Sequence, residues 1–244
     1  MYVSVDSLPE LTPEYQQAQL QAVHDAKVVY QFEVVKVPPT NYGDIITWIL
    51  GALMFFWIGY QISWLGVVVA SLFVFALGSY FYYAGNPDVK QTVTLTEKGM
   101  IVSDLQLVPD ACFAALRYSG YVGIGISVVG VVLVGPMMFI GAGAGLLMSF
   151  KMAGVENRPK TRVRPFHPDI EYVMADNLCA KFKNDLTLRR VVPRIELEND
   201  GGSKDELFSR NKEFYFLTYA STEQQQDEIM RHLKKFINVE KGDY

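Results

Sequence analysis

The sequence predicts an α-helical integral membrane protein, built from two helical hairpins that give three or four transmembrane helices, with a small α+β cytoplasmic domain. Three observations carry this expectation. Two stretches, 45–87 and 118–150, contain no Asp, Glu, Lys, Arg or His, and a hydrocarbon core about 30 Å thick is crossed by roughly 20 apolar residues in a helix. Aromatic clusters mark the ends of the first stretch. The segments outside both stretches carry short strand patterns that cannot stand alone.

The first apolar block is too long for one crossing and suits two. Its most polar point is Tyr60, Gln61, Ile62 and Ser63, with Trp57 and Trp64 alongside and Tyr80, Tyr82 and Tyr83 at the far end. Amphipathic rings prefer the headgroup level, so these clusters predict a tight hairpin with helices over 44–60 and 63–84. The second block is rich in glycine, and Gly135 with Pro136 lies near its midpoint. Either one long kinked helix or a short hairpin fits. Glycine is conformationally permissive and proline removes a backbone donor, so the pair favours a turn.

Within that block Gly141 and Gly145 form a Gly-x-x-x-Gly pair, and Gly125, Gly130 and Gly135 add further small positions. In an apolar helix such residues let backbones approach. These five glycines and Pro136 are therefore the candidate packing and assembly residues.

The soluble pieces supply the rest. Alternating residues over 29–36, 92–96 and 100–102 read as strands, the last two joined by a turn at Glu97, Lys98 and Gly99, where a positive φ is expected at the glycine. Segments 187–192, 194–198 and 213–219 also read as strands. Ser221 or Thr222 is an N-cap for a closing helix with Ile229, Met230, Leu233, Phe236 and Ile237 on one face. The expected organisation is an N-terminal tail with helix and strand (1–43), a transmembrane hairpin (44–84), a soluble β-hairpin segment (85–117), a glycine-rich transmembrane segment or hairpin (118–153) and a C-terminal α+β cytoplasmic domain (154–244). Co-assembly of these strands on one side of the membrane favours an even number of crossings.

Charge narrows the function. The chain has 26 acidic and 22 basic residues, a formal net charge of −4, so no nucleic-acid partner is expected. Lys151, Arg158, Lys160, Arg162 and Arg164 follow the second block with only Glu156 against them, which places that flank in the cytoplasm by the positive-inside rule. Arg158, Lys160, Arg162 and Arg164 are also candidate contacts for anionic lipid headgroups. The first 30 residues lack the basic and apolar regions of a cleavable signal peptide. Cys112 and Cys179 both fall in segments expected to be cytoplasmic, hence reduced.

No catalytic or metal motif emerges. His24, His167 and His232 are scattered without ligand spacing, and no cofactor is implied. The lack of charged groups at mid-depth also disfavours an ion-coupled carrier. The expectation is a non-enzymatic bacterial inner-membrane protein acting through contact with another membrane protein or itself, and with membrane lipids. An accessory subunit or an immunity- or exclusion-type factor would have this form. The alternatives are a channel or pore built on the glycine-rich segment and a lipid-binding protein of the membrane interface.

Overall fold

The computed structural model describes residues 3–135, 138–175, 180–196 and 212–242. The chain divides into two compact units. One gathers Met1–Pro39, Val89–Leu105 and Pro159–Tyr244, and the other Thr40–Asp88 and Gln106–Arg158. Three segments far apart in sequence thus build the first unit, because each contributes strands to a shared sheet.

That unit begins with β1 (Val3–Ser4), followed by α1 (Pro13–His24) and β2 (Val28–Lys36). Thr12 caps α1, its hydroxyl accepting from Tyr15 N, with Pro13 at the first helical position, where its missing N–H costs nothing. After the first helical hairpin come β3 (Val89–Thr96) and β4 (Gly99–Gln106), and after the second β5 (Lys160–Pro165). These four make a sheet in the order β2-β3-β4-β5. Its inner face carries Phe32, Val34, Val93, Leu95, Met100 and Val102, all buried. The period-two pattern of β2 follows directly, since alternate residues of a strand face opposite sides.

Gly99 departs from the expected turn geometry. It lies in β4 without a positive φ, and a Cβ there would sit 2.5 Å from Arg164 O and 2.6 Å from a Val23 methyl. Glycine is needed at this position for the close approach of α1 and β5.

The remainder of the unit is a second sheet. It is built from β6 (Glu171–Ala175), β7 (Ala180–Lys181), β8 (Thr187–Pro193), β10 (Leu217–Ser221) and β11 (Asn238–Gly242), in the order β10-β8-β6-β11 with β7 beside β8. A short β9 (Ile195–Glu196) pairs in parallel with β1. The strand expected over 213–219 divides: Lys212–Phe214 is a 3-10 turn and β10 starts only at Leu217. Helix α6 (Glu223–Leu233) opens with a capping box, Thr222 and Gln225 each satisfying the other's backbone, the arrangement that pairs two orphan donors at a helix start. It ends before Phe236 and Ile237, which lead into β11. Ile229, Met230 and Leu233 of α6 join both sheets in one hydrophobic core with Tyr172, Tyr215, Leu217 and Tyr219.

The second unit is helical. Helices α2 (Tyr42–Ile62) and α3 (Trp64–Ala84) form one antiparallel pair, α4 (Asp110–Val134) and α5 (Met138–Ala153) another. Three of them, α2, α3 and residues 110–133 of α4, are long and apolar enough to cross a membrane. Their apolar residues are exposed on all sides: Trp64, Tyr82, Val132 and Leu133 are each more than three-quarters accessible.

Candidate functional surface of the helical unit and its sheet

The first hairpin turns at Ser63, whose extended backbone ends α2 and whose hydroxyl caps α3 by accepting from Gly66 N at 3.2 Å. At this tip the two helices touch backbone to backbone. A Cβ on Gly59 would lie 2.7 Å from Gly66 O, and one on Gly66 would lie 2.6 Å from Gly59 O. At the other end the Trp48 ring lies over Gly78, 2.6 Å from where a Cβ would sit. Phe55 and Phe73 meet between them, ring centroids 5.2 Å apart.

The second hairpin closes through Gly120 and Gly123. A Cβ on Gly120 would reach within 2.6 Å of Ala153 N and 2.7 Å of Ser149 O, and one on Gly123 would overlap Ser149 Oγ. The Ser149 hydroxyl donates a hydrogen bond to Gly145 O at 2.8 Å, and Arg117 donates to Val155 O at 3.3 Å, near the base of the pair. Close backbone approach of this kind is what small residues permit between apolar helices.

The glycines expected to pack are placed differently. Gly125 and Gly145 face open space, with nothing within 4 Å of a Cβ. Gly130 is half-buried in α4. Gly135 ends α4 at φ 92°, a region that favours glycine, and its N–H donates to Val131 O at 2.9 Å. Pro136 and the surroundings of Gly141 lie outside the described residues. The packing glycines that sequence reasoning missed, Gly59, Gly66, Gly78, Gly120 and Gly123, sit opposite a small residue or a ring on the partner helix. That pairing is invisible until the hairpin register is known.

The four-stranded sheet has a polar end. Asp104 on β4 receives Lys36 Nζ and Gln91 Nε2 at 2.7 Å each, and a third bond from Arg162. Burial works against the charged form of Asp104. The hydrogen bonds from Lys36 and Gln91 and the charges of Lys36 and Arg162 outweigh it, so the carboxyl lies below its ordinary range. Gln91 is fully buried and its Oε1 accepts from Ala220 N at 2.7 Å, tying the second sheet to this cluster.

The four basic candidates part company. Arg158 pairs with Glu156 at 2.7 Å, both exposed. Arg162 is bound to Asp104, and Arg164 lies 3.6 Å from Glu213 with much of its side chain buried. Lys160 is exposed and stands across the ladder from Asp104.

The histidines share no site. His24 ends α1, His232 stacks on Tyr30 at 5.4 Å, and His167 is buried against Tyr215 at 4.8 Å and Phe214 at 5.8 Å. Burial pushes the His167 imidazole down to about 4, against a small opposing pull from Asp169. Among the described residues no three His, Cys, Asp or Glu side chains gather as a metal site. Cys112 is a free thiol on α4, and Cys179 lies outside the described residues.

The TsiV2 immunity protein family matches residues 12–164. In structural terms this runs from the cap of α1 to β5, taking in the four-stranded sheet and both hairpins. The chain is also 31% identical over 116 residues to the immunity protein TsiV2 of Vibrio cholerae serotype O1 (strain ATCC 39315 / El Tor Inaba N16961), a stretch covering 46% of this chain and 42% of that protein. No solved structure matches the chain. With the family match spanning well over half of its residues, the chain belongs to the TsiV2 immunity protein family.

Proposed function

We propose that the chain is a bacterial membrane-embedded immunity protein, which neutralises a partner toxin by protein–protein contact and without catalysis. Helices α2 to α5 cross the inner membrane as two hairpins, and both sheets lie on the cytoplasmic side. The family membership supports the immunity role. Continuous exposed apolar surface on the helices supports the membrane setting, because a surface of that extent in water would drive association.

One observation carries the topology. In the four-stranded sheet Lys36, the end of β2, pairs with Val89, the start of β3, and Asp104 near the end of β4 pairs with Lys160, the start of β5. All four attachments to the helices therefore lie at one end of one sheet, which supports hairpins that each return to the side they left. Two returning hairpins make four crossings. Helix α5 is the shortest of the four at 16 residues, about 24 Å at 1.5 Å per residue, and meets the ~30 Å core by local thinning of the bilayer. The basic residues Lys151, Arg158, Lys160 and Arg162 support a cytoplasmic sheet side.

Single-cysteine accessibility in whole cells tests this, with Cys112 and Cys179 first replaced by serine. Cysteines at positions 10, 98 and 235 are expected to be shielded from an impermeant label, and one at position 63 to react. Labelling at 10 and 98 with protection at 235 would overturn the four-crossing reading in favour of three.

A further inference from the structure

The helix-bearing end of the four-stranded sheet carries more positive than negative charge, arranged on a rim. Lys36 closes β2, Lys160 opens β5 and Arg162 follows two residues later, around the carboxylate of Asp104, with the exposed Asp88 just ahead of β3 at the same end. The oxygens of Asp104 are taken up by Lys36, Gln91 and Arg162. Lys160 makes no ion pair among the described residues and stands exposed. Arg162, though bound to Asp104, keeps nearly half of its side chain accessible. On the opposite face of the sheet Lys90 is matched by Glu33 at 2.7 Å, so the imbalance belongs to the rim.

From this arrangement we infer that the helix-bearing end of the sheet binds the phosphate headgroups of anionic phospholipids, with Lys160 and Arg162 as the principal contacts. The inference rests on the membrane reading above. Covalent connection supplies the second argument: only residues 37–41, 85–88, 107–109 and 154–159 separate the strands from the helices, and an extended chain spans at most about 3.5 Å per residue. A helix end at the bilayer surface thus holds these cations within the headgroup layer's reach. The guanidinium of Arg162 offers two donors to a phosphate while a third remains on Asp104, and each cation near an anionic surface strengthens binding by roughly fivefold. Arg158, paired with Glu156, and Arg164, paired with Glu213 toward the opposite end of β5, are left out of the contact.

The test uses the full chain purified in detergent, offered equal amounts of phosphatidylglycerol and phosphatidylcholine with the same acyl chains, with retained lipid read by native mass spectrometry. Wild-type protein is expected to retain phosphatidylglycerol severalfold over phosphatidylcholine. Lys160→Gln should cut that preference roughly fivefold, and Lys160→Gln with Arg162→Gln should cut it further. Lys234→Gln with Lys235→Gln, at the end of α6, should leave it unchanged. Equal retention of both lipids by wild type, or an equal loss in the α6 control, would overturn the inference. Full displacement of phosphatidylglycerol by inorganic phosphate would overturn it too, assigning a free-anion site. Resistance of the chain to alkaline carbonate extraction separates the two levels: a carbonate-extracted protein sinks the membrane reading and this inference together, a resistant one with no headgroup preference sinks only the latter.

Discussion

The two units obey opposite rules with the same amino acids. In the sheet unit Tyr172, Tyr215 and Tyr219 are buried almost completely, whereas in the helical unit Trp57, Tyr60, Trp64 and Tyr82 are largely exposed. Inside the sheet unit large side chains fill the core, as water demands. In the helical unit the closest approaches between helices are made at glycines, against Gly66, Ser149, Ala153 or the Trp48 ring, and most large side chains point away. Stability therefore resides in volume in one unit and in the absence of volume in the other. A substitution that is severe in one should be mild in the other.

The largest expected effect is Gly120→Leu. Its side chain would have to enter the space held by Ala153 N and Ser149 O, so the α4–α5 pair should fail to close, with the protein lost from the membrane fraction on immunoblots. Gly145→Leu, directed into open space, should leave accumulation at wild-type level. Protection against the partner toxin that fails in Gly145→Leu while the protein accumulates normally would map the recognition face to that side of α5. Equal accumulation of both variants would break the comparison.

Next comes Leu233→Ala on α6, which removes a fully buried side chain from the shared core and should cost about 3 kcal/mol. Val132→Ala, on an exposed part of α4, should cost under about 0.5 kcal/mol. Thermal unfolding of the two variants, followed by protease resistance in detergent, measures the difference directly.

His167 gives an effect of intermediate size with a defined pH window. Its folded value of about 4 lies below the unfolded 6.5, so the native state resists protonation that the unfolded chain accepts. Stability is complete above pH 6.5, falls as the pH drops from there toward 4, and levels off below. The loss amounts to about 2 kcal/mol after allowance for solvent screening. His167→Phe should flatten the melting temperature across that window; an unchanged slope would assign the acid sensitivity elsewhere. Thr222→Ala is the smallest, about 1 kcal/mol, through the broken capping box of α6.

What could be read from the sequence was whatever a short stretch determines by itself. The break at Ser63, the strand over β2, the hairpin of β3 and β4 and the Thr222 cap all announce themselves through local chemistry. Non-local features did not. The basic run after α5 contains β5, a strand made by pairing with β4 rather than by its own propensity, with Lys and Arg guarding a sheet edge. Strands β6 and β11 pair in parallel across a helix, and neither has a marked alternation. Phe236 and Ile237 continue the helical period by chance while the backbone has already turned toward β11. Among the glycines, spacing suggested Gly145, which faces open space; the close approaches depend on which residue stands opposite, a property of the pair and not of either helix.

The interleaving of strands and hairpins imposes an order on assembly. Strand β4 is made before the second hairpin and β5 after it, so one side of β4 stays unpaired until α5 has folded back along α4. Loop closure over such separations is slow, and an unpaired strand edge is a template for wrong partners. Completion of the sheet is thus a built-in checkpoint: a chain whose second hairpin stalls keeps an adhesive edge on display, and only a chain with both hairpins closed hides it.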